Sequence, residues 1–138
     1  PKSLADIEEL INRIKEGLQL NLNIGWGISI KGDQKLIGTI GYHSVDATNH
    51  RAEIGYMLQP DHWRKGYITE AIESVLHYGF DIMNLHSVEA NINPANEAST
   101  KTLEHFKFER EAYFKENYYF REKFLDSAIY SLLKKDFR

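Results

Sequence analysis

The chain contains no cysteine among its 138 residues. Without cysteine it forms no disulfide, holds no thiolate zinc site and carries no acyl group on a cysteine. Long apolar runs are missing too, because no segment approaches the roughly 20 residues that span a bilayer and no signal-peptide core opens the chain. These absences predict a cytoplasmic protein that does not insert into a membrane.

An excess of positive charge is also lacking, since 17 Lys and Arg residues face 20 Asp and Glu residues and the net charge is −3. Proteins that bind nucleic acid directly normally carry a clustered basic surface. Direct binding of nucleic acid is therefore not expected. The length and the 42% hydrophobic content fit a single domain over residues 1–138 with a core of its own.

Hydrophobic periodicity predicts the element order α-β-β-β-α-β-α-β-β. The predicted helices cover residues 3–18, 68–79 and 96–107, and the predicted strands cover residues 21–30, 35–45, 51–58, 86–93, 108–119 and 124–133. Short connections favour antiparallel neighbours for the first three strands, whereas a helical crossover predicts that the fourth strand lies parallel to the third. The fold class is therefore α/β (α+β), a mixed central sheet with helices on both faces.

The connection between the third strand and its helix has features of a phosphate site. Gly66 follows Arg64 and Lys65 and directly precedes the helix. The first-turn amides and the positive end of a helix dipole favour an anion there, and glycine allows close approach to the main chain. An ordinary strand, tight turn and amphipathic helix explains the same pattern equally well.

A longer pattern decides between these two interpretations. The run Trp-Arg-Lys-Gly-Tyr-Ile-Thr-Glu-Ala at 63–71, preceded by Ala-Glu-Ile-Gly-Tyr at 52–56, resembles the acetyl-coenzyme A site of the GNAT superfamily of N-acetyltransferases, within it the RimJ/RimL-like branch. This chain departs from the broader superfamily pattern, Gln/Arg-x-x-Gly-x-Gly/Ala, at two positions, Trp63 and Ile68. The resemblance covers essentially the whole chain and implies the GNAT fold.

The family fold normally begins with a strand and a helix that this chain lacks. We therefore expect that Pro1 is not the working N-terminus. The outer edge of the strand at 21–30 would otherwise be exposed, and natural proteins cover such edges. Preceding residues or a second copy in a homodimer would supply the cover.

The resemblance implies acetyl-coenzyme A as co-substrate. Its pyrophosphate would bind the backbone and the cations of the turn, at Arg64, Lys65, Gly66, Tyr67, Ile68 and Thr69. Its pantetheine arm would pair with the end of the strand at Met57 and Leu58, as another strand would. This binding mode requires the strands at 51–58 and 86–93 to splay apart.

A second signature, Asn-x-x-Ser at Asn96 and Ser99, resembles the pair with which the branch contacts the cofactor and protonates the leaving thiolate. The residues alone favour a simpler interpretation, with Asn96 as a helix cap and Ser99 as a first-turn residue. The tyrosine that many family members use as acid is absent, because Leu103, Glu104 and His105 occupy those positions. We therefore assign the acid to Ser99.

Two carboxylates are candidates for the base that deprotonates the amine. Glu53 lies on the strand where the family often keeps a carboxylate, and Glu116 matches a second acidic position of the branch. The alternative is that either residue is an ordinary carboxylate on a strand, exposed to solvent and without a catalytic role. His43, His50 and His62 lack the spacing of a metal site, so we assign no metal.

The resemblance thus implies an acetyltransferase that acts on a primary amine, with a protein N-terminal α-amine as one acceptor. Polyamines, aminoglycosides and amino acids remain open as acceptors. A module that binds or senses acyl-coenzyme A without turnover is the alternative.

Overall fold

A six-stranded mixed sheet organises the computed structural model, which describes residues 24–30, 32, 35–63 and 65–137. Its strands are β1 (Ile24–Ile28), β2 (Gly38–Asp46), β3 (Arg51–Leu58), β4 (Ser87–Ile92), β5 (Glu109–Phe120) and β6 (Lys123–Leu133). The described helices are α1 (Tyr67–His77), which continues into a π-helical turn at Tyr78–Ile82, and α2 (Glu97–His105). In space the strands follow the order β1-β2-β3-β4-β6-β5.

The pairing confirms the predicted directions of the strands. β3 and β4 are parallel, and the other neighbouring pairs are antiparallel. β2 begins three residues later than predicted, because Ile28 and Gly38 form the last pair between β1 and β2. The predicted helix at 3–18 and the start of the predicted strand at 21–30 lie outside the described residues.

The hydrophobic core lies against one face of the sheet. Side chains alternate between the two faces of a strand, and the paired strands keep this alternation in register. The buried residues of this face include Trp26, Ile40, Tyr42, Ala52, Ile54, Val88, Ala90, Ala128, Tyr130 and Leu132. Residues Ala71, Ile72, Val75 and Leu76 of α1 and Leu103 of α2 belong to the same cluster. None of the described helices has the length and apolarity needed to cross a membrane.

One buried hydrogen bond joins β2 to α1. The hydroxyl of Tyr42 donates to the carbonyl oxygen of Val75 at 2.7 Å. Burial raises the pKa of Tyr42 far above its usual value, so the phenol stays protonated and remains a donor. The bond fixes the helix on the sheet directly before the π-helical turn.

We expect Tyr42→Phe to lower the free energy of unfolding by about 1 kcal/mol, because it removes one buried hydrogen bond and leaves the ring in place. The carbonyl of Val75 keeps a partner, since it also accepts from the backbone N–H of Tyr78. Urea denaturation measures the change, with Tyr119→Phe, an exposed tyrosine, as the control. Equal unfolding free energies for Tyr42→Phe and the native chain would contradict a stabilising role for this bond.

Candidate active site

An opening between β3 and β4 is the main feature of the candidate site. The two strands pair only at Arg51↔Ser87, Ala52↔Val88 and Glu53↔Glu89. Beyond these pairs β3 remains paired with β2, and β4 remains paired with β6. The separation that pantetheine binding requires is therefore present along residues 54–58.

The turn before α1 lies beyond the C-terminal end of β3. Gly66 is the N-cap residue of α1, with the left-handed angles φ 82° and ψ 0°, and it offers no side chain to cap the helix. The first hydrogen bond of the helix runs from Glu70 N to Gly66 O at 3.1 Å, so the preceding amides lie at the positive end of the helix dipole. Lys65 is exposed beside this end, whereas Arg64 lies outside the described residues.

Trp63 links the turn to the end of β3. Its indole N–H donates to the carbonyl oxygen of Leu58 at 2.7 Å, while the side chain remains 57% exposed. The Leu58 side chain is buried and that of Met57 is exposed. Leu58 is one of the two predicted pantetheine contacts, and its carbonyl oxygen already accepts the hydrogen bond from Trp63. A second lone pair on this oxygen remains able to accept another hydrogen bond.

Asn96 and Ser99 lie beyond the end of β4, on the other side of the opening. The side-chain oxygen of Asn96 accepts a hydrogen bond from the backbone N–H of Ser99 at 3.1 Å. Asn96 therefore caps α2, as its residue type predicts. The cap uses the amide of Ser99 and leaves its hydroxyl available for another role.

Tyr56 also lies along this opening, on the same face of β3 as Ile54. The Tyr56 hydroxyl oxygen is buried and makes no hydrogen bond of normal geometry with a described residue. Burial raises the pKa of Tyr56, and the Ser99 side chain beside it acts in the opposite direction. In the sequence Tyr56 is part of the Ala-Glu-Ile-Gly-Tyr motif at 52–56, and its alternation with Ile54 puts a polar group on the core face of β3.

Glu53 lies at the start of the opening, because its pair with Glu89 is the last one that joins β3 to β4. It projects from the face opposite Tyr56. Its carboxylate lies 3.3 Å from Nε2 of His43, its cross-strand partner. The sequence suggests His43 only as a candidate metal ligand. The strand register shows that it is the neighbour of Glu53.

A groove of about 450 Å³ runs along this second face beside His43, Gly55 and Met57. A depression of about 440 Å³ lies elsewhere, between the end of α2 and the C-terminal residues, and contains none of the candidate residues. The groove adjoins Glu53 through His43, the cross-strand partner of Glu53.

Glu116 occupies a different part of the sheet. It lies in an irregular stretch of β5 with φ 48°, and its backbone N–H donates to Asp126 at 2.8 Å. The hydroxyl of Tyr113 and this N–H together hold the pKa of Asp126 below its usual value. Strands β4 and β6 separate β5 from β3, so the structure does not bring Glu116 next to Glu53.

Within the described ranges, no group of three or more His, Cys, Asp or Glu side chains is arranged to hold a metal ion. Of the side chains described above, those near the opening that are able to carry chemistry are Glu53, His43, Tyr56 and Ser99, which come from strands β2 and β3 and helix α2.

Comparisons with known proteins agree with this geometry. A family model described as "Acetyltransferase (GNAT) domain" matches residues 1–109. "Uncharacterized N-acetyltransferase p20" of Bacillus licheniformis is 34% identical over 132 residues, which cover 96% of this chain and 72% of that protein. "Uncharacterized N-acetyltransferase YoaA" of Bacillus subtilis (strain 168) is 35% identical over 136 residues, 96% of this chain and 77% of that protein.

Solved structures share the fold. A crystal structure described as that of a "Probable acetyltransferase" superposes with a TM-score of 0.80 at 31% identity, over 92% of this chain and 69% of that chain.

Proposed function

The chain belongs to the GNAT family of acetyltransferases, whose members take the acetyl group from acetyl-coenzyme A, and we propose that it transfers this group directly to a primary amine. The observation that carries the proposal is the opening between β3 and β4, with the Gly66 turn at one end and Ser99 beside it. Direct transfer is favoured because the sequence holds no cysteine for an acyl intermediate.

The donor would bind along this opening. Its pyrophosphate lies at the turn, against the amides of α1 and the charge of the two cations, at Arg64, Lys65, Gly66, Tyr67, Ile68 and Thr69. Its pantetheine arm passes between the strands along Met57 and Leu58, where β3 has no β4 partner. Asn96 approaches it from the end of β4.

The two faces of the opening separate the two proton transfers. On one face Glu53 removes a proton from the amine, through a water molecule, and the amine nitrogen then attacks the thioester carbon. On the other face Ser99 gives its proton to the sulfur as the carbon–sulfur bond breaks, and the proton that the acetylated nitrogen loses returns to the serine oxygen through water. Base and acid thus act from opposite sides of the acetyl group, and neither interferes with the approach of the other.

The acceptor that we propose is the α-amine of a protein N-terminus, as in the RimJ/RimL-like branch. A relative from Bacillus subtilis (strain 168) described as "Putative ribosomal N-acetyltransferase YdaF" supports this choice, at 33% identity over 104 residues, 75% of this chain and 57% of that protein. A small amine is the second candidate. "Spermidine N(1)-acetyltransferase" of Vibrio cholerae is 25% identical over 126 residues.

A thiol-release assay with acetyl-coenzyme A tests the proposal. Peptides with a free N-terminal amine and no lysine should release coenzyme A and gain one acetyl group by mass spectrometry, while the same peptides with a blocked N-terminus should not react. Spermidine and an aminoglycoside complete the panel. Turnover with spermidine alone would replace the peptide acceptor by a small amine, and calorimetric binding of acetyl-coenzyme A without any turnover would indicate a sensing module.

A further inference from the structure

We propose that His43 is a positioning residue for Glu53. Its Nε2–H donates to one carboxylate oxygen of Glu53, Oε2, and thereby directs the other oxygen toward the water that carries the proton of the amine. This inference rests on the proposed function, in which Glu53 is the base.

The position of the pair within the sheet is the first argument. His43 and Glu53 face each other across β2 and β3, and Nε2 lies 3.3 Å from Oε2. The pairing of β2 with β3 becomes irregular directly after His43, and the pairing of β3 with β4 ends at Glu53. Irregular pairing of this kind re-aims side chains and is common next to active sites. The pair therefore lies at the place where the opening begins.

The charges around Glu53 give the second argument. Glu89, which pairs with Glu53 across β3 and β4, carries a like charge. The nearby cation Arg51 lies 3.3 Å from Glu89 and 3.7 Å from Asp46. Within the described ranges, His43 is the ion-pair partner of Glu53. Since Arg51 pairs with other carboxylates, His43 is the side chain in this part of the chain that is placed to hold Glu53.

The histidine ring has a defined place because Gly55 carries no side chain. A Cβ at Gly55 would lie 3.0 Å from Cε1 and 3.5 Å from Nδ1 of His43. The first distance is shorter than ordinary van der Waals contact, so the ring occupies space that a larger residue at this position would need. The ring therefore packs over Gly55 while its Nε2 lies beside Glu53.

The direction of the hydrogen bond follows from the chemistry of the two groups. An ionised carboxylate only accepts, so the hydrogen must be on Nε2 of His43. This hydrogen is present in one neutral tautomer of the ring and also in the imidazolium. The 3.3 Å separation is long for an N–H···O bond, as is common for catalytic pairs before substrate binds.

Two substitutions, His43→Leu and His43→Gln, test the inference with the amine that reacts fastest in the thiol-release panel. Leucine removes the donor, so we expect kcat to fall about tenfold, with the KM for acetyl-coenzyme A within about twofold of the native value. The side-chain amide of glutamine is able to donate in place of the ring, so His43→Gln should keep kcat within about threefold of the native value. An amide does not take up a proton, so retention of kcat by glutamine separates positioning from proton uptake by the ring itself.

The matched control is His77→Leu, because His77 also pairs with a carboxylate. Its Nδ1 lies 3.4 Å from Asp81, and the side chains of His43 and His77 are both 47% exposed. His77 ends α1, at the opposite end of the helix from Gly66, so kcat should equal the native value. Urea denaturation checks that the variants fold, since exposed pairs of this kind contribute little to stability.

A double-variant cycle with Glu53→Gln completes the test. In that background His43→Leu should cost less than about twofold in kcat, because His43 acts through the missing carboxylate. Three results would each overturn the inference and leave the proposed transfer intact: a native kcat for His43→Leu, an equal loss in His43→Gln, or an undiminished loss in the Glu53→Gln background. A native kcat for Glu53→Gln alone would remove Glu53 as the base, and absence of transfer in the native chain would refute the proposed function. Either of these results would refute the inference as well.

Discussion

Ser99→Ala is expected to lower kcat by roughly 10- to 10³-fold while the KM for acetyl-coenzyme A changes little, the range typical of a lost general acid. A group that meets the leaving thiolate acts mainly in the transition state, so its removal affects turnover more than binding. The fold of α2 should survive, because the backbone N–H of Ser99, not its hydroxyl, bonds to Asn96.

The matched control for this variant is Thr102→Ala on the same helix. Thr102 bonds through its hydroxyl to the carbonyl oxygen of Ala98 at 2.9 Å, so the control also removes one hydroxyl from α2. Its kcat should equal the native value. If Ser99→Ala keeps kcat within about twofold while single-turnover kinetics show that chemistry limits the rate, Ser99 is only a helix residue.

Gly66→Val is expected to weaken acetyl-coenzyme A binding by more than tenfold, or about 1.4 kcal/mol or more. Gly66 has φ 82°, a conformation that a β-branched residue adopts only with strain. A side chain there would also stand between the main chain and the pyrophosphate. Isothermal titration calorimetry measures the dissociation constant directly, and an unchanged value would remove the phosphate site from this turn.

The chain offers a closely matched control for this variant as well. Gly32 has φ 88°, and an added Cβ meets no atom within 4 Å at either glycine. Gly32→Val therefore carries a similar backbone penalty in the loop between β1 and β2, far along the chain from the proposed phosphate site. Its dissociation constant should stay near the native value, and an equal loss in both variants would indicate general strain instead of a blocked site.

Sequence patterns predicted the strand, turn and helix around Gly66 because each depends on neighbouring residues. Alternation defines β3, helical spacing defines α1, and glycine marks the turn between them. The positions of Glu53 and Ser99 at the opening depend on residues from separate elements, so no local pattern reports them. The sequence does not predict how far the opening extends either, because β3 and β4 both have the pattern of complete strands and the point where their pairing ends has no signal.

Register explains the remaining differences at the site. The contact of His43 with Glu53 follows only from the pairing of β2 with β3, which periodicity alone does not fix. The irregular stretch of β5 around Glu116 has no signal in the sequence, because aromatic and charged residues continue through it. The acid, the base, the cofactor-binding residues, the acceptor and the homodimer stay predictions.

The opening also divides the sheet into two groups of strands. The first group consists of β1, β2 and β3, which follow each other along the chain, and the second of β4, β6 and β5. Three residue pairs between β3 and β4 join the two groups. Antiparallel hairpins close short loops and form early, whereas the parallel junction must wait for the α1 crossover. Since Glu53 belongs to the first group and Ser99 follows β4 of the second, we expect the proposed base and acid to come together only when this long-range junction forms.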